Sequence, residues 1–234
     1  MPLHPVKKAV VTGASRGVGY YTALSLVEMG YHVIGVARTA ADLLHLQKRS
    51  RDAAGIFEPL VADVGDYTTL ASLLKKSHPE INVLINNAAA FLKREFSQLQ
   101  AGDLNQIYHT NVVAPVMLIQ LLMPVLPAGA HCVNVSSVGG VSGSLKFKGL
   151  LPYSISKGAL NIATECLALE LADAQVFCNA IALGSVGTQM FKTAFPGLKA
   201  GAEAPEVGKY IAHFAGHGAP ICNGRVIQLA NSNP

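Results

Sequence analysis

The chain has 234 residues, of which 50% are hydrophobic and 14% are charged. This composition excludes a disordered or fibrous protein, and the length suits a single domain over residues 1–234. The formal charge of +4 is spread along the chain and is not gathered in one basic block, so we expect no nucleic-acid partner.

Targeting signals are the next feature to consider. Residues 1–8 lack the charged-then-apolar order of a signal peptide, and the chain has no uninterrupted run of about 18 apolar residues. The four cysteines are widely spaced, and three of them lie in apolar runs typical of a strand or helix core. They are Cys132, Cys166, Cys178 and Cys222. We therefore predict reduced thiols, a cytoplasmic location and no membrane partner.

Short runs rich in Val and Ile alternate along the chain with segments of helical apolar spacing. The predicted strands are 9–12, 32–37, 57–61, 83–86, 132–135, 176–181 and 226–229. The predicted helices are 17–29, 40–53, 67–76, 103–126, 153–171 and 205–215. This order predicts an α/β fold of Rossmann type, a doubly wound parallel sheet of seven strands with helices on both faces. Ligands of such sheets bind outside the carboxyl ends of the strands.

A glycine-rich turn follows the first predicted strand, with the sequence TGASRGVG at residues 12–19. Glycines here permit a tight turn and a close approach of backbone to a pyrophosphate, and the following helix N-terminus offers N–H donors. A purely structural loop is the alternative. The strand before the turn and the helix after it favour a dinucleotide site.

The end of the second predicted strand indicates which dinucleotide is bound. An NAD site needs Asp or Glu there to accept from the ribose 2′-OH, but the chain reads Val36-Ala37-Arg38-Thr39. Arg38 can instead hold a 2′-phosphate, and Arg16 can reach the same phosphate from the glycine turn. The alternative is that both are solvated surface charges. We predict NADP(H) as the cofactor.

The TGxxxGxG spacing resembles that of the short-chain dehydrogenase/reductase family, and the resemblance covers nearly the whole chain. It implies that Asp63, with Val64 beside it, binds the adenine, and that Asn87 in the run 86–89 lines the cofactor cleft. Ala89 stands where family members usually have Gly. The resemblance also implies that Val186 binds the nicotinamide carboxamide and Thr188 the phosphates. The full predicted cofactor set is Gly13, Ser15, Arg16, Gly17, Val18, Gly19, Arg38, Thr39, Asp63, Val64, Asn87, Ala88, Ala89, Tyr153, Lys157, Gly184, Val186 and Thr188.

Tyr153 and Lys157, four residues apart in a predicted helix, supply an acid and a cation on one helix face. Reduction of a carbonyl leaves charge on oxygen, so a nearby acid is needed. A cation some 4 Å away is worth about 4 kcal/mol, which would lower the phenol pKa by about two to three units. We expect Lys157 and an oxidised nicotinamide to supply that effect. A surface ion pair is the alternative for an isolated Tyr and Lys.

The family resemblance completes the catalytic set with a serine and an asparagine. Ser137 matches the serine that orients the substrate oxygen, and its neighbour Ser136 competes for that role, because adjacent strand residues point oppositely. Asn111 matches the asparagine that links the lysine to solvent through water, or it could be a satisfied core amide. We therefore predict an NADP-dependent oxidoreductase that uses Asn111, Ser137, Tyr153 and Lys157 on a small carbonyl or alcohol substrate.

The substrate and assembly predictions are coarser. Two connections near 138–152 and 187–205 are expected to form the substrate loops. Their lysines and aromatic residues suggest an apolar substrate with an anionic end, or ordinary solvated loops. These residues are Leu145, Lys146, Phe147, Lys148, Leu150, Phe191, Lys192, Phe195 and Lys199. The apolar helices 103–126 and 153–171 predict a homodimer or homotetramer.

Besides Ala89, the chain departs from the family pattern at three further places, and two alternative functions stay open. Leu183 replaces a usual proline, the interval from Ser137 to Tyr153 is longer than in the family, and residues 225–234 lack its common Gly-Gly close. No metal is predicted, although His213 and His217 are four apart. The rivals are a non-catalytic NADP-sensing regulator of the same fold and a scaffold without cofactor affinity. The intact catalytic set argues against the regulator.

Overall fold

Seven parallel strands form one sheet in the order β3-β2-β1-β4-β5-β6-β7. The structure is a computed structural model that describes residues 6–230. The strands are β1 (Lys8–Thr12), β2 (His32–Ala37), β3 (Ile56–Val61), β4 (Val83–Asn86), β5 (His131–Ser137), β6 (Phe177–Leu183) and β7 (Val226–Leu229). The predicted doubly wound sheet is confirmed, with every strand in its predicted place.

Helices cover both faces of the sheet because side chains alternate along each buried strand. The helices are α1 (Gly17–Glu28), α2 (Ala40–Arg49), α3 (Tyr67–Ser77), α4 (Ala101–Tyr108), α5 (Ala114–Leu122), α6 (Leu151–Glu170), α7 (Gln189–Ala194) and α8 (Ala204–His217). Val11 belongs to one core with Ile211 of α8, whereas its neighbour Val10 belongs to the other with Leu74 and Leu118. Adjacent strand residues therefore supply two separate hydrophobic layers.

The helical segment 101–125 is continuous but not uniform. Between α4 and α5 lies a π turn, His109–Val113, in which the N–H of Ala114 bonds to the carbonyl of His109. By length and mean hydropathy this 25-residue segment could cross a membrane, although it holds no uninterrupted run of 18 apolar residues. In the structure, however, Leu118 is buried in the core beneath the sheet. That position is typical of the core helix of a layered α/β protein.

Several boundaries differ from the predicted ones. Helix α2 ends at Arg49 and not at 53, because the chain turns at Ser50, whose carbonyl accepts from the N–H of Ala53. Helix α8 continues through Gly216 to His217, where a side chain in place of the glycine would meet the Tyr31 hydroxyl. The predicted loop 187–205 contains a helix, α7. The predicted segment 225–234 is described only as far as residue 230.

The cysteine prediction holds only in part. All four thiols are free, and Cys132 and Cys178 are fully buried on β5 and β6. Cys166 is exposed on α6, and Cys222 is half-buried. The apolar run around Cys166 therefore does not bury that residue, because it lies on the outer side of its helix.

Candidate active site

Four strand ends meet at the carboxyl edge of the sheet: those of β1, β4, β5 and β6. Thr12 joins the first two, since its hydroxyl accepts from the backbone N–H groups of Asn87 and Ala88, each at 3.0 Å. No role was predicted for Thr12, although a hydroxyl residue that ends a Val-rich strand directly before the glycine turn is a signal that could have identified it. In the structure Thr12 is 2% exposed.

The glycine turn is shaped by close contacts with Asn87. The side-chain amide of Asn87 donates to the Thr12 carbonyl at 2.9 Å and to the Gly13 carbonyl at 3.3 Å. Gly13 has a φ of +68°, and a Cβ there would lie 2.8 Å from that amide. A Cβ on Gly19 would also meet the Asn87 amide and the Gly13 carbonyl. The turn therefore requires glycine at both positions.

A second wall of the same crevice comes from β6. Gly17, at the start of α1, has a φ of +58°, and a Cβ there would lie 3.3 Å from the methyl group of Thr188. The structure thus brings Gly17 and Thr188 together across more than 170 residues of chain. Ser15 and Val18 belong to the same turn and helix, with Val18 buried in the core.

The outer end of the crevice carries the two arginines. Arg38 follows β2, and its side chain is 76% exposed, 4.0 Å from a carboxylate oxygen of Asp63. Asp63 also accepts from the N–H of Gly65 at 2.9 Å, beside Val64. Arg16 is exposed at the N-cap position of α1, and Thr39 is exposed at that of α2. Both guanidinium groups are therefore accessible to an anion.

Tyr153 and Lys157 lie one turn apart on α6, against the end of β5. The Lys157 ammonium is 5.8 Å from the centroid of the Tyr153 ring and donates to the Val135 carbonyl at 2.8 Å. Lys157 is 2% exposed, whereas Tyr153 is half-buried. The Ser137 side chain interacts with the Tyr153 phenol and opposes the rise in its pKa. The phenol, the ammonium and the Ser137 side chain therefore lie together at the end of β5.

Without an oxidised nicotinamide, the Tyr153 pKa is raised and not lowered. Burial raises it from 10.0 to about 12, and the interaction with Ser137 only partly offsets that effect. Burial also lowers the Lys157 pKa from 10.5 to about 8. Removal of both groups from water destabilises their charged forms, which the sequence argument neglected. At neutral pH the site thus holds a neutral phenol and an ammonium.

The two serines of β5 point in opposite directions. The Ser136 hydroxyl is buried and donates to the Lys157 carbonyl at 3.2 Å, so it faces the helix backbone. Ser137 is half-buried and faces the phenol, and its hydroxyl also accepts from the N–H of Gly139 at 3.2 Å. Of the two candidates, only Ser137 is directed toward the Tyr153 hydroxyl.

Asn111 is fully buried in the π turn, and its side chain binds the segment after β4. The Asn111 carbonyl oxygen accepts from the N–H of Ala90 at 2.8 Å, and its amide donates to the Ala90 carbonyl at 3.0 Å. The same amide donates to Ser156, whose hydroxyl donates to the Tyr153 carbonyl at 2.7 Å. Sequence reasoning missed Ser156, although it lies inside the Tyr-Lys pair. Asn111 thus positions the first turn of α6.

The segment 184–188 lies beside β7 and α8. Leu183 pairs with Leu229, so β6 continues through the position of the usual proline. Gly184 donates to the Leu229 carbonyl at 2.9 Å, and Val186 forms a parallel bridge with Ala202. Thr188 caps α7 by accepting from the N–H of Phe191 at 3.2 Å. Leu183 therefore extends a strand without disturbing the path to Thr188.

The rim of the site is aromatic. The rings of Phe147 and Phe195 lie 4.9 Å apart, and those of Phe191 and Phe195 lie 5.4 Å apart, so the two predicted substrate loops touch. Phe91 packs edge-on against the Tyr153 ring at 5.3 Å. Sequence reasoning missed Phe91 and its neighbour Lys93, because the chain after β4 carries no motif beyond residue 89. Lys93 is positioned above the Phe195 ring, 5.5 Å from its centroid.

A sequence model described as short chain dehydrogenase matches residues 7–199, which is most of the chain. The chain belongs to the short chain dehydrogenase family. It is accordingly an oxidoreductase, which confirms the predicted class of enzyme and the family resemblance.

Two curated relatives of this short chain dehydrogenase are reductases by name. The L-xylulose reductase of Mesocricetus auratus is 31% identical over 190 residues, which cover 80% of this chain and 75% of the relative. The tropinone reductase homolog of Datura stramonium is 32% identical over 194 residues, covering 80% and 70%.

Solved structures agree on the fold. A short chain dehydrogenase from Burkholderia cenocepacia, solved in complex with NADP, has a TM-score of 0.87 at 22% identity and covers 97% of both chains. The Pseudomonas aeruginosa RhlG/NADP active-site complex has a TM-score of 0.87 at 24% identity, covering 98% of this chain and 99% of that one. These likenesses show that this short chain dehydrogenase shares their architecture from end to end.

Helix α8 carries two histidines, His213 and His217, at the four-residue spacing of a metal-ligand pair. Within residues 6–230, no group of three or more His, Cys, Asp or Glu side chains is placed to hold a metal ion. The His213 and His217 rings lie 4.5 Å apart, and the His217 ring bonds to the His213 carbonyl. This contact with the backbone occupies the Nδ1 atom of His217, so that nitrogen is not free to bind a metal ion.

Proposed function

We propose that the protein transfers a hydride between NADP(H) and the carbonyl or alcohol group of a small molecule. The observation that carries this proposal is the meeting of the Tyr153 phenol, the Ser137 hydroxyl and the Lys157 ammonium at the end of β5. The glycine crevice of Gly13 and Gly17 opens at the same edge of the sheet. An acid beside a dinucleotide cradle is the arrangement that carbonyl reduction needs.

The cofactor proposal rests on the residues of that crevice. Backbone at Gly13 and Gly17 adopts positive φ, and glycine there lets the turn pack closely against Asn87 and Thr188. The turn leads directly into the N-terminus of α1, where free N–H groups suit a pyrophosphate. The exposed guanidinium groups of Arg38 and Arg16 suit a 2′-phosphate, and β2 ends without an acid that would repel one. The names of related structures, which include NADP complexes, support the same choice.

The chemistry follows from the protonation states of the site. When bound, NADPH would supply the hydride. The Ser137 hydroxyl orients the substrate oxygen, and the neutral Tyr153 phenol donates its proton to that oxygen as negative charge develops. The Lys157 ammonium stabilises the phenolate that remains.

Asn111 supports this chemistry without touching the substrate. Its side chain is engaged with the backbone of Ala90 and with Ser156, and it thereby fixes both the wall after β4 and the turn of α6 that carries Tyr153. A link between Lys157 and solvent through water, which the family resemblance implies, would run through the π turn around Asn111. Such turns are frequent at functional sites.

The rim favours an apolar carbonyl compound. Phe91, Phe147, Phe191 and Phe195 supply its aromatic surface. An anionic substrate end has less support than the sequence suggested, because the Lys146 ammonium donates to three acceptors of its own loop, the Val141 carbonyl and both oxygens of Ser144. An ammonium has three donors, so this lysine is already satisfied.

Assembly into a homodimer or homotetramer in the cytoplasm completes the proposal. Ile155, Ile162 and Leu169 recur every seven residues on α6, are 39%, 60% and 80% exposed, and form one apolar stripe. Burial of that stripe against a second copy would remove it from water. Light scattering at micromolar concentration should give at least a dimeric mass, and a monomeric mass would contradict this part.

A carbonyl screen tests the proposed activity. Aromatic and aliphatic ketones and aldehydes are mixed with the enzyme and NADPH, and the loss of NADPH absorbance is followed. Neutral aryl ketones should be reduced, and matched carboxylated ketones should be reduced no faster. Binding of NADPH, seen by fluorescence, without turnover of any carbonyl or alcohol would instead favour the regulator.

A further inference from the structure

The connection after β4 meets both substrate loops at one residue, Lys93. Its ammonium donates to the carbonyl of Ala194 at 2.8 Å and lies 5.5 Å from the centroid of the Phe195 ring. Its aliphatic stem lies against Gly149, where a Cβ would approach the Lys93 Cγ to 3.2 Å. One side chain therefore contacts two separate stretches of the rim.

The base of Lys93 is firmly held. Its neighbour Arg94 donates through its backbone to the Gly149 carbonyl at 2.9 Å and through its side chain to Asp103 at 2.8 Å. Asp103 is 14% exposed in its side chain and belongs to the capping box of α4. Charge-assisted pairs of this geometry are among the stronger surface contacts. Lys93 thus extends from a fixed point on the body of the domain.

The other end of the contact is the weakest part of the rim. Helix α7 has only six residues, and Ala194 is its last, so the Ala194 carbonyl lacks a partner within the helix. Ala194 is 2% exposed. A carbonyl in so buried a position destabilises the folded protein when no donor binds it. Lys93 supplies that donor and a cation above the following aromatic ring.

We propose that Lys93 is a positioning residue that ties α7 to the connection after β4 and so holds the aromatic wall of Phe191 and Phe195 over the substrate. It acts through α7 and does not itself bind the substrate. Its effect on substrate affinity rests on the proposed function, whereas its effect on α7 does not. Substrate size selection would then depend on a lysine outside the catalytic set.

Limited proteolysis tests the tie without substrate or cofactor. Trypsin cleaves after Lys192 and Lys199, in and just after α7, and mass spectrometry identifies each new end. Lys93→Met keeps the length of the side chain but removes the donor, so cleavage at these two sites should be about fivefold faster than in the parent. Lys93→Arg retains a donor and a cation, so it should remain within about twofold of the parent. Lys76→Met, a lysine exposed on α3, is the matched control and should leave the rate unchanged.

Cleavage after Arg51, in the turn that follows α2, is the internal control. Its rate measures local unfolding in a part of the same protein that is remote from α7. An equal increase at Arg51 and at α7 would assign Lys93 a general structural role and overturn the proposal. Equal rates for the parent and Lys93→Met at Lys192 and Lys199 would overturn it too. These outcomes are independent of whether any ketone is reduced.

Steady-state kinetics with a bulky aryl ketone provides the second arm. A loosened wall should raise KM about fivefold in Lys93→Met with kcat within about twofold, because the catalytic groups are untouched. The dissociation constant for NADPH should not change. A loss confined to carboxylated ketones would show that Lys93 binds substrate directly, which contradicts the proposal. If no variant and no parent reduces a ketone, the proposed function fails, while the proteolysis still decides the role of Lys93.

Discussion

The Lys157 ammonium lies 5.8 Å from the centroid of the Tyr153 ring, one helical turn away on the same face of α6. Burial moves their pKa values in opposite directions, to about 12 for Tyr153 and about 8 for Lys157. Both groups therefore keep their protons at neutral pH. The phenol can donate at once, and the cation is already present to stabilise the phenolate that results.

Removal of the phenol should abolish turnover but not cofactor binding. In Tyr153→Phe we expect kcat/KM for ketone reduction to fall by about three orders of magnitude, because a positioned acid contributes about 10²–10⁴-fold. NADPH affinity, measured by fluorescence titration, should stay within about threefold of the parent, since the ring is retained. Tyr210→Phe, on the exposed face of α8, is the control and should behave as the parent. Parent-like behaviour of Tyr153→Phe in every assay would support a regulator.

Lys157 should make stability depend on alkaline pH. Its pKa is about 8 in the folded protein and 10.5 in the unfolded chain, so between these values the unfolded state binds more protons. Stability contributed by Lys157 therefore rises as pH increases from about 8 to 10.5, by about 3 kcal/mol in total. The free energy of unfolding of the parent and of Lys157→Met is measured with urea across this pH range. The difference between the two free energies should change by that amount. A difference that does not change with pH for Lys157→Met would refute the pKa assignment.

Much of the fold could be predicted because buried parallel strands are written as short Val- and Ile-rich runs, as at β2 and β6. The glycine turn could also be predicted from the sequence, since Gly13 and Gly17 require positive φ or close backbone contact. Helix α7 was missed because six residues hold too little periodicity, although Thr188 three residues before Phe191 is a recognisable cap. The π turn around Asn111 carries no sequence signal.

The parts of the site that escaped prediction depend on contacts between distant loops. Lys93 reaches Ala194 across 101 positions, and Phe91 meets Tyr153 only because β4 and β5 are neighbours. No local pattern encodes such a meeting. The raised Tyr153 pKa has a different source, since a spacing argument counts the neighbouring charge but not the water that burial removes.

Cofactor choice should depend on the two exposed arginines. Arg38→Asp combined with Arg16→Ala should weaken NADPH binding about 100-fold, through lost pairing with the 2′-phosphate and repulsion by the new carboxylate. NADH binding should change far less, because NADH lacks that phosphate. Arg51→Ala, an exposed arginine in the turn after α2, is the control for general charge. Tighter binding of NADH than of NADPH by the parent would contradict the cofactor assignment.

His131 should make stability fall in acid. It is 1% exposed at the start of β5, where its Nδ1 donates to the Ala215 carbonyl at 3.1 Å and its Nε2 accepts from the Asn179 amide at 3.0 Å. Protonation of His131 would place an N–H of the ring opposite the amide N–H of Asn179, and two donors facing each other repel. Burial disfavours the charged ring as well. The folded pKa is accordingly lowered from 6.5 to about 4, mainly by burial.

The sign follows from proton counts. Between pH 6.5 and about 4 the unfolded chain binds a proton at His131 that the folded protein does not, so stability is full above 6.5 and is lost as pH falls, by about 3 kcal/mol. His131→Gln cannot titrate, so urea unfolding of parent and variant should give stability curves that converge as pH falls through this window. Parallel curves for His131→Gln would mean that the buried ring accepts its proton without breaking the contacts with Ala215 and Asn179.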